Sequence, residues 1–377
     1  MAATSPSGIA GPLADVRVID CASVVAAPGA ARHLADFGAD VIKVERPGGE
    51  GTRTLGWLDP RDDVTLWWKL LNRNKRCIVV DLRDPDGLDA MLRLCDSADV
   101  LIENFRPGVL ERLGLGPDVL HARNPRLVVT RVSGFGQTGP YAQRPGFATL
   151  AEAMSGFAAL NGEPDGPPLL PPIALTDEVT ALAAAFATMV ALRSGVGQVV
   201  DVNLLDSMLQ MMGPLPAAAA LLDYDQPRLG AGIPYSVPRG TYRASDGRWL
   251  AVSTTSEAVA QRVLALVGLD DDDQLRTSAG RAEKRGIVDA AVARWIAGRT
   301  SEEAMAAFVA ADAAIAPVLA MTEVVRDAHV RERDSLVEVD GVLVQAPVAR
   351  LSATPGSVRW LGRALGADTA EVLDALD

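Results

Sequence analysis

The stretch Leu34–Arg53, LADFGADVIKVERPGGEGTR, decides the fold. An apolar strand, Val16–Asp20, comes before it, Pro28 opens a helical run that closes at Gly38, and a second strand, Asp40–Glu45, ends on an acid. That order is the outline of a nucleotide-binding β-α-β unit, in which the acid after the second strand takes a ribose hydroxyl. The turn between strand and helix, Ala22–Gly29 (ASVVAAPG), contains no G-x-G-x-x-G. Without those glycines a pyrophosphate has no bare backbone to lie against in the usual way. Arg46 follows the acid directly, and GGEG leads to Arg53. Cationic side chains are therefore expected to meet a phosphate, which disfavours a dinucleotide-dependent oxidoreductase.

Working outward, strand and helix signals alternate. Arg76–Leu82 (RCIVVDL) is nearly all apolar, as a strand covered on both faces should be. Asp84-Pro85 starts a helix, with the cap before a proline at the first helical position. Asp99–Glu103, Leu127–Val132 and Gln198–Asn203 read as further strands, and Phe147–Leu160, the Ala-rich Thr176–Leu192 and the apolar Leu204–Leu222 as helices. This alternation predicts an α/β fold with a parallel sheet.

From Gly230 the texture changes. Thr241–Ser253 reads as a hairpin around Ser245-Asp246-Gly247, followed by helical patterns at Glu257–Val267, Ala282–Ala297 and Ser301–Ala311. Leu336–Gln345 is a second hairpin, turning at Asp340-Gly341, and the tail from Trp360 carries a last helix. The expected organisation is a large domain over residues 1–204, a linker helix over 205–229, a smaller α+β domain over 230–318, a returning linker over 319–345 and a last part of the large domain over 346–377.

A chain of 377 residues is too long for one ordinary core. Its net charge of −12 argues against a general nucleic-acid binder. No apolar run of membrane-spanning length stands out, and MAATSPSG lacks a charged-then-apolar leader, so no membrane partner is expected. Cys21, Cys77 and Cys95 are odd in number and lack C-x-x-C spacing, which supports neither a disulfide framework nor a zinc site. Buried thiols in a reducing cytoplasm are expected.

Several residues could carry chemistry. Asp177, in PPIALTDEVTA, opens the Ala-rich helix, where a carboxylate faces the positive helix end. The residues by themselves favour a helix cap or first-turn acid over a reacting group. Arg46, Arg53, Arg73, Lys75, Arg76, Arg83, Arg106 and Arg112 all fall in the first domain, mostly after strands or within turns. Loops after strands form the ligand crevice of open α/β sheets, and about half of these cations should be solvated surface charge. His33, His121 and His329 have no partner acids at motif spacing, so neither a metal site nor a Ser-His-Asp triad is expected. Trp67-Trp68 reads as core.

Taken together, GPLADVRVID, LADFGADVIKVERPGG, NRNKRCIVVDL, ENFRPGVLERLGLG, SGFGQTGPY, RPGFATLAEAMSG, GQVVDVNLLDSML and a late LSATPG, in that order, form a familiar string. It resembles the family III CoA-transferases, of the L-carnitine dehydratase and bile-acid-inducible protein F type. These include formyl-CoA and carnitine CoA-transferases and the related α-methylacyl-CoA racemase. The similarity runs over almost the whole chain. It implies a Rossmann-like large domain, a small α+β domain and two identical subunits interlocked like chain links. It implies an enzyme that moves CoA between an acyl-CoA and a carboxylic acid, with the CoA thioester as substrate and no tightly bound cofactor or metal. By position, Asp177 falls on the family's catalytic aspartate, which forms an anhydride and then an aspartyl-CoA thioester. Arg46 falls near the adenosine or its phosphate, Asn104 and Phe105 on the pantetheine path, and Arg83 and Arg112 on phosphates.

The chain departs from the pattern at several places. Val25 stands where formyl-CoA transferases have a glutamine, and Ala148 where they have an acid. Their glycine-rich small-domain loop has no counterpart around Ser253–Ser256. Formate or oxalate is therefore a poor fit, and a larger, more apolar acyl group a better one. Phe147 replaces the base histidine of the racemases, which argues against racemisation by an acid–base pair. Glu257, near another racemase carboxylate, reads as a first-turn helix acid. The competing readings are an acyl-CoA racemase or isomerase and a CoA-binding scaffold without catalysis.

Overall fold

The computed structural model describes residues 11–376. The chain divides into two compact units. One comprises the described residues through Ser155, Pro171–Gly213 and the described residues from Ala328 onward; the other comprises Gly156–Leu170 and Pro214–Asp327.

The first unit is built on strands β1 (Arg17–Asp20), β2 (Asp40–Glu45), β3 (Lys75–Val79), β4 (Val100–Glu103), β5 (Val128–Ser133) and β6 (Val199–Asn203). They form one sheet in the order β3-β2-β1-β4-β5-β6, and all pairs are parallel. The order reverses between β1 and β4, as in a doubly wound nucleotide-binding fold. Apolar cores lie on both sheet faces. One packs Val18, Val41 and Val100 against helix α1 (Ala26–Asp36), and the other packs Ile19, Ile42 and Leu101 against Met91 and Leu94 of Pro85–Asp96.

Register is set by charge as well as by apolar alternation. Arg17 lies opposite Asp40, Asp20 opposite Lys43 and Glu103 opposite Arg131. Each pair is ionic, at 3.2, 3.7 and 2.7 Å respectively. A slip of one residue would strand these charges inside the sheet. At the carboxyl end of β1 the fully buried Asp20 also takes Lys75 from β3 at 2.8 Å. Lys75 further donates to the Pro28 carbonyl at 2.8 Å and to Asn72 at 3.1 Å, and Lys43 donates to the Ala22 carbonyl. One carboxylate thus joins three adjacent strands to the start of α1.

Helix α1 begins at Ala26, two residues before Pro28, because a proline in the first turn forgoes no internal hydrogen bond. It packs along α2 (Leu175–Ser194), whose inner face is Ala181, Ala184, Ala185, Thr188 and Ala191. A Cβ on Gly29 would come within 2.9 Å of the Ala181 methyl, so only glycine allows this approach. By length and composition α2 is apolar enough to cross a membrane, against the expectation that no apolar run of that length is present. Its packing on α1 is that of a core helix, and its opposite face exposes Leu182, Phe186 and Val190.

Two helices expected to be continuous are broken. Phe147–Leu160 becomes Ala148–Met154 and Phe157–Leu160, because Gly156 adopts φ +90°. Leu204–Leu222 becomes Leu204–Met211 and Leu215–Leu222, interrupted by Gly213 at φ +57° and Pro214. The chain passes between its two units at both breaks. In the second unit the expected hairpin, Arg239–Arg243 with Trp249–Ser253, gains a third antiparallel strand, Ala314–Pro317, which is too short and Ala-rich to announce itself. The hairpin Leu336–Val339 with Val342–Gln345 belongs to the first unit, as does the last helix, Thr369–Asp374.

Because Asp20 balances two buried lysines, Asp20→Asn leaves a buried positive charge without its partner. The expected loss of stability is roughly 3–5 kcal/mol, measured by urea unfolding. The carboxyl is held below its ordinary value because the two lysines outweigh the burial that would raise it. Its stabilisation is therefore present above the unfolded-state value near pH 4 and is lost as the pH falls further.

Candidate active site

Two clefts open at the carboxyl ends of the strands, beside the reversal between β1 and β4 where open α/β sheets hold ligands. The first has a volume of about 490 Å³ and is lined by Cys21, Val44, Glu45 and Val80, with Arg46, Glu50, Asp81 and Arg83 around it. The second, of about 500 Å³, is lined by Val25, Asn104, Arg106, Ser133, Gly134, Arg144–Thr149 and Asp177. Ser23, Val24 and Phe105 line both, so the two clefts share a wall.

That wall is the turn after β1. The Ala22 N–H donates to Asp20 at 3.1 Å, the Ser23 N–H to Asn104 at 2.9 Å and the Val24 N–H to Glu50 at 3.0 Å. The Asn104 amide returns a bond to the Ser23 carbonyl at 2.7 Å. Three successive amides that a glycine loop would offer to a phosphate are thus already taken by side chains. Val24 is held at φ +68°, which is costly for a β-branched residue and requires support of this kind.

Several expected ligand groups prove to be structural. Glu45, placed where a ribose acid would sit, is buried and receives both ends of the Arg53 fork at 2.8 and 2.7 Å. Arg53 also lies 3.5 Å over the buried Trp68 ring and is not available to a phosphate. Arg73 pairs with Asp36, Lys75 with Asp20 and Arg76 with Asp40. In each case a carboxylate distant in sequence claims the cation, which spacing alone does not disclose.

Of the residues implied by the resemblance, Arg46 and Arg83 line the first cleft. Arg46 donates to the Gly49 carbonyl at 3.0 Å, and Arg83 is exposed and forked onto Asp81 at 3.0 and 2.9 Å. Asn104 lines the second cleft and Phe105 lines both. Arg112 ends the short helix Val109–Arg112, is exposed and lines neither. Arg106 lines the second cleft, as its place after a strand suggested. Glu257 pairs with Arg281 at 2.7 Å in a helix first turn, which is a structural role.

Among the described residues, Asp177 is the one carboxylate on the second cleft. It stands in the first turn of α2, where the helix end alone would keep its proton affinity low. The opposite holds. Burial first, then the neighbouring Glu152 and Glu178 carboxylates, push it up to about 6. Glu152 is buried and accepts the Thr176 hydroxyl at 2.8 Å, and Glu178 pairs with Arg32 at 3.0 Å. Asp177 is therefore mostly ionised at neutral pH yet more basic than an ordinary aspartate. Sequence reasoning missed Glu50 and Glu152, whose roles depend on partners brought from other segments, and Arg144, which lies exposed over the nearby Tyr141 ring. A carboxylate in the apolar-periodic run LAEAM was the one visible sign of Glu152.

A family model described as CoA-transferase family III matches residues 13–369. The chain is 38% identical to the succinyl-CoA–D-citramalate CoA-transferase of Chloroflexus aurantiacus, over 97% of this chain and 94% of that one. It is 33% identical to the succinate–glutarate CoA-transferase of Agrobacterium fabrum, over 97% and 96%. The crystal structure of a CAIB/BAIF family protein from Brucella suis superposes with a TM-score of 0.86 at 29% identity, covering 98% of this chain and all of that one.

A reaction that uses ionised Asp177 should gain rate as the pH rises through about 6. Glu152→Gln removes one of the charges that raise Asp177 and should move that midpoint to lower pH. The carbon-13 shift of the Asp177 carboxyl and the pH profile of kcat/KM both check this. A midpoint in the ordinary aspartate range in the unmodified protein would contradict it.

Proposed function

The chain belongs to CoA-transferase family III and is an acyl-CoA:carboxylate CoA-transferase, and from that premise we propose that it works through covalent adducts on Asp177. The observation that carries this is a cleft on which Asp177 is the one carboxylate among the described residues, sharing a wall with a second cleft that carries Arg46 and Arg83. The adenosine and phosphates of CoA belong, on this reading, to the cleft of Arg46 and Arg83. The pantetheine runs past Ser23, Val24 and Phe105 to Asp177.

The chemistry follows from one desolvated carboxylate. Asp177 attacks the thioester carbonyl of the donor, the C–S bond breaks, and a mixed anhydride and CoA thiolate form. The thiolate attacks the aspartyl carbonyl, releasing the donor acid and leaving an aspartyl-CoA thioester. The acceptor carboxylate attacks that thioester and expels the thiolate, which then attacks the acyl carbonyl of the new anhydride and displaces the Asp177 carboxylate. The products are the new acyl-CoA and free Asp177. A raised proton affinity makes the carboxylate a better nucleophile while leaving it ionised at neutral pH. The oxyanions that form require N–H donors, and the lining offers the backbone at Gly134 and Gly146.

Racemisation requires a second base, and among the described residues the Asp177 cleft carries no histidine, lysine, tyrosine or other acid. The acids named in the two relatives are dicarboxylic: succinic, citramalic and glutaric. We take the same class for this chain. Such acids exceed formate and oxalate in size, in keeping with Val25 and Ala148, but they are charged at both ends rather than apolar. The buried free thiols Cys21, Cys77 and Cys95 support a reducing cytoplasm as the compartment.

Asp177→Asn keeps the shape but removes the nucleophile. Transfer should fall on the order of 10⁴-fold or more while folding and CoA binding stay largely intact. Hydroxylamine or borohydride added during turnover should mark the peptide that contains Asp177. Substantial transfer by the variant, or a label elsewhere, would end this assignment. The family resemblance and the exposed stripe Leu182, Phe186 and Val190 on α2 also support an interlocked homodimer. It should resist dilution, and light scattering that gives a monomer at micromolar concentration would overturn it.

A further inference from the structure

We propose that Arg144 is the specificity residue that receives the second, non-reacting carboxylate of a dicarboxylic acid bound in the Asp177 cleft. This rests on Asp177 as the reacting group and adds which side chain reads the far end of the acid.

The loop after β5 closes on itself where Gly134 meets Gly146: a Cβ on either would lie 2.6 Å from the other's Cα. Arg144 comes two residues before that contact. Its N–H donates to the Tyr141 carbonyl at 2.8 Å, and its guanidinium lies 3.8 Å over the Tyr141 ring. Tyr141 in turn packs edge-on to Phe135, with ring centroids 5.9 Å apart. The guanidinium is thus held by its face, which leaves the N–H edge for a ligand.

The pairing of the other cations sharpens this. Arg32, Arg53, Arg73, Arg76 and Arg131 each meet a carboxylate. Among the described residues no acid pairs with Arg144, although the chain carries 48 acids against 36 lysines and arginines. An unpaired fork on the same cleft as a carboxylate nucleophile suits a substrate that brings its own second carboxylate. That charge would otherwise sit near Asp177 without compensation. Arg106, also unpaired and on this cleft, adjoins Phe105, which lines both clefts. It serves as the control.

The test compares acceptors of equal length at one fixed donor: glutarate against pentanoate, and succinate against butanoate. Arg144→Gln should lower the diacid-to-monoacid ratio of kcat/KM roughly 10- to 100-fold. Arg144→Lys should restore part of it, and the calorimetric dissociation constant for CoA should be unchanged. An equal loss for both acids, weakened CoA binding with an unchanged ratio, or the selectivity loss appearing in Arg106→Gln instead would each overturn the proposal. If the unmodified enzyme transfers to neither acid, the Asp177 reading is what fails. Glutarate binding by calorimetry then decides Arg144 separately. Binding that disappears in Arg144→Gln supports the site, and equal or absent binding in both proteins refutes it.

Discussion

The fold hangs on one buried carboxylate. Asp20 has no solvent contact, and two lysines from neighbouring strands converge on it. Isolated, any of these three charges would be prohibitive inside the sheet; together, with the Ala22 and Pro28 carbonyls and Asn72 completing the lysine bonds, they are compensated. Burial lowers the Lys75 proton affinity to about 8, so this lysine is held charged less firmly than a surface one. The cluster lies where β1 turns toward α1, and the geometry of that turn follows from it.

A glycine loop reaches its shape because glycine tolerates positive φ and leaves its amides bare. This chain builds the corresponding turn from Cys21-Ala22-Ser23-Val24 and supports the strained Val24 through Asp20, Asn104 and Glu50. The amides are consumed in the process. A ligand phosphate must then find side-chain cations, and Arg46 and Arg83 are those at the first cleft. Arg53 is spent neutralising Glu45, which in turn frees no acid for a ribose. The same ionic pairing that fixes the sheet therefore determines which of these arginines line the cleft.

The electrostatics of Asp177 show a competition that the helix end loses. A first-turn position favours the anion by a fraction of a kcal/mol up to about 2 kcal/mol in partly buried geometry. Burial and two neighbouring carboxylates act the other way and win. Arg32 answers Glu178, and the Thr176 hydroxyl answers Glu152, so the cations and donors nearby serve the neighbours of Asp177. Asp177 is left as the least compensated acid of the group, which is what raises its proton affinity.

The sequence by itself determined the β-α-β outline, the parallel sheet and the missing glycine fingerprint, because strand periodicity and turn composition are local. The ordered motifs carried the family, and with it the position of Asp177, which residue chemistry alone reads as a helix cap or first-turn acid. Gly156 and Gly213-Pro214 break two helices that apolar periodicity on either side made read as continuous. Tertiary structure decided which charges are partners. Arg53, Arg73, Lys75 and Arg76 read the same as Arg46 and Arg83 along the chain, and the approach of Glu45, Asp36, Asp20 and Asp40 draws the first four inward, while Arg83, forked onto the nearby Asp81, stays exposed. The raised proton affinity of Asp177 and the unpaired fork of Arg144 belong to that second category. The first depends on burial and on the Glu152 carboxylate brought from another segment, the second on no acid among the described residues folding against an exposed guanidinium, and spacing along a chain encodes neither.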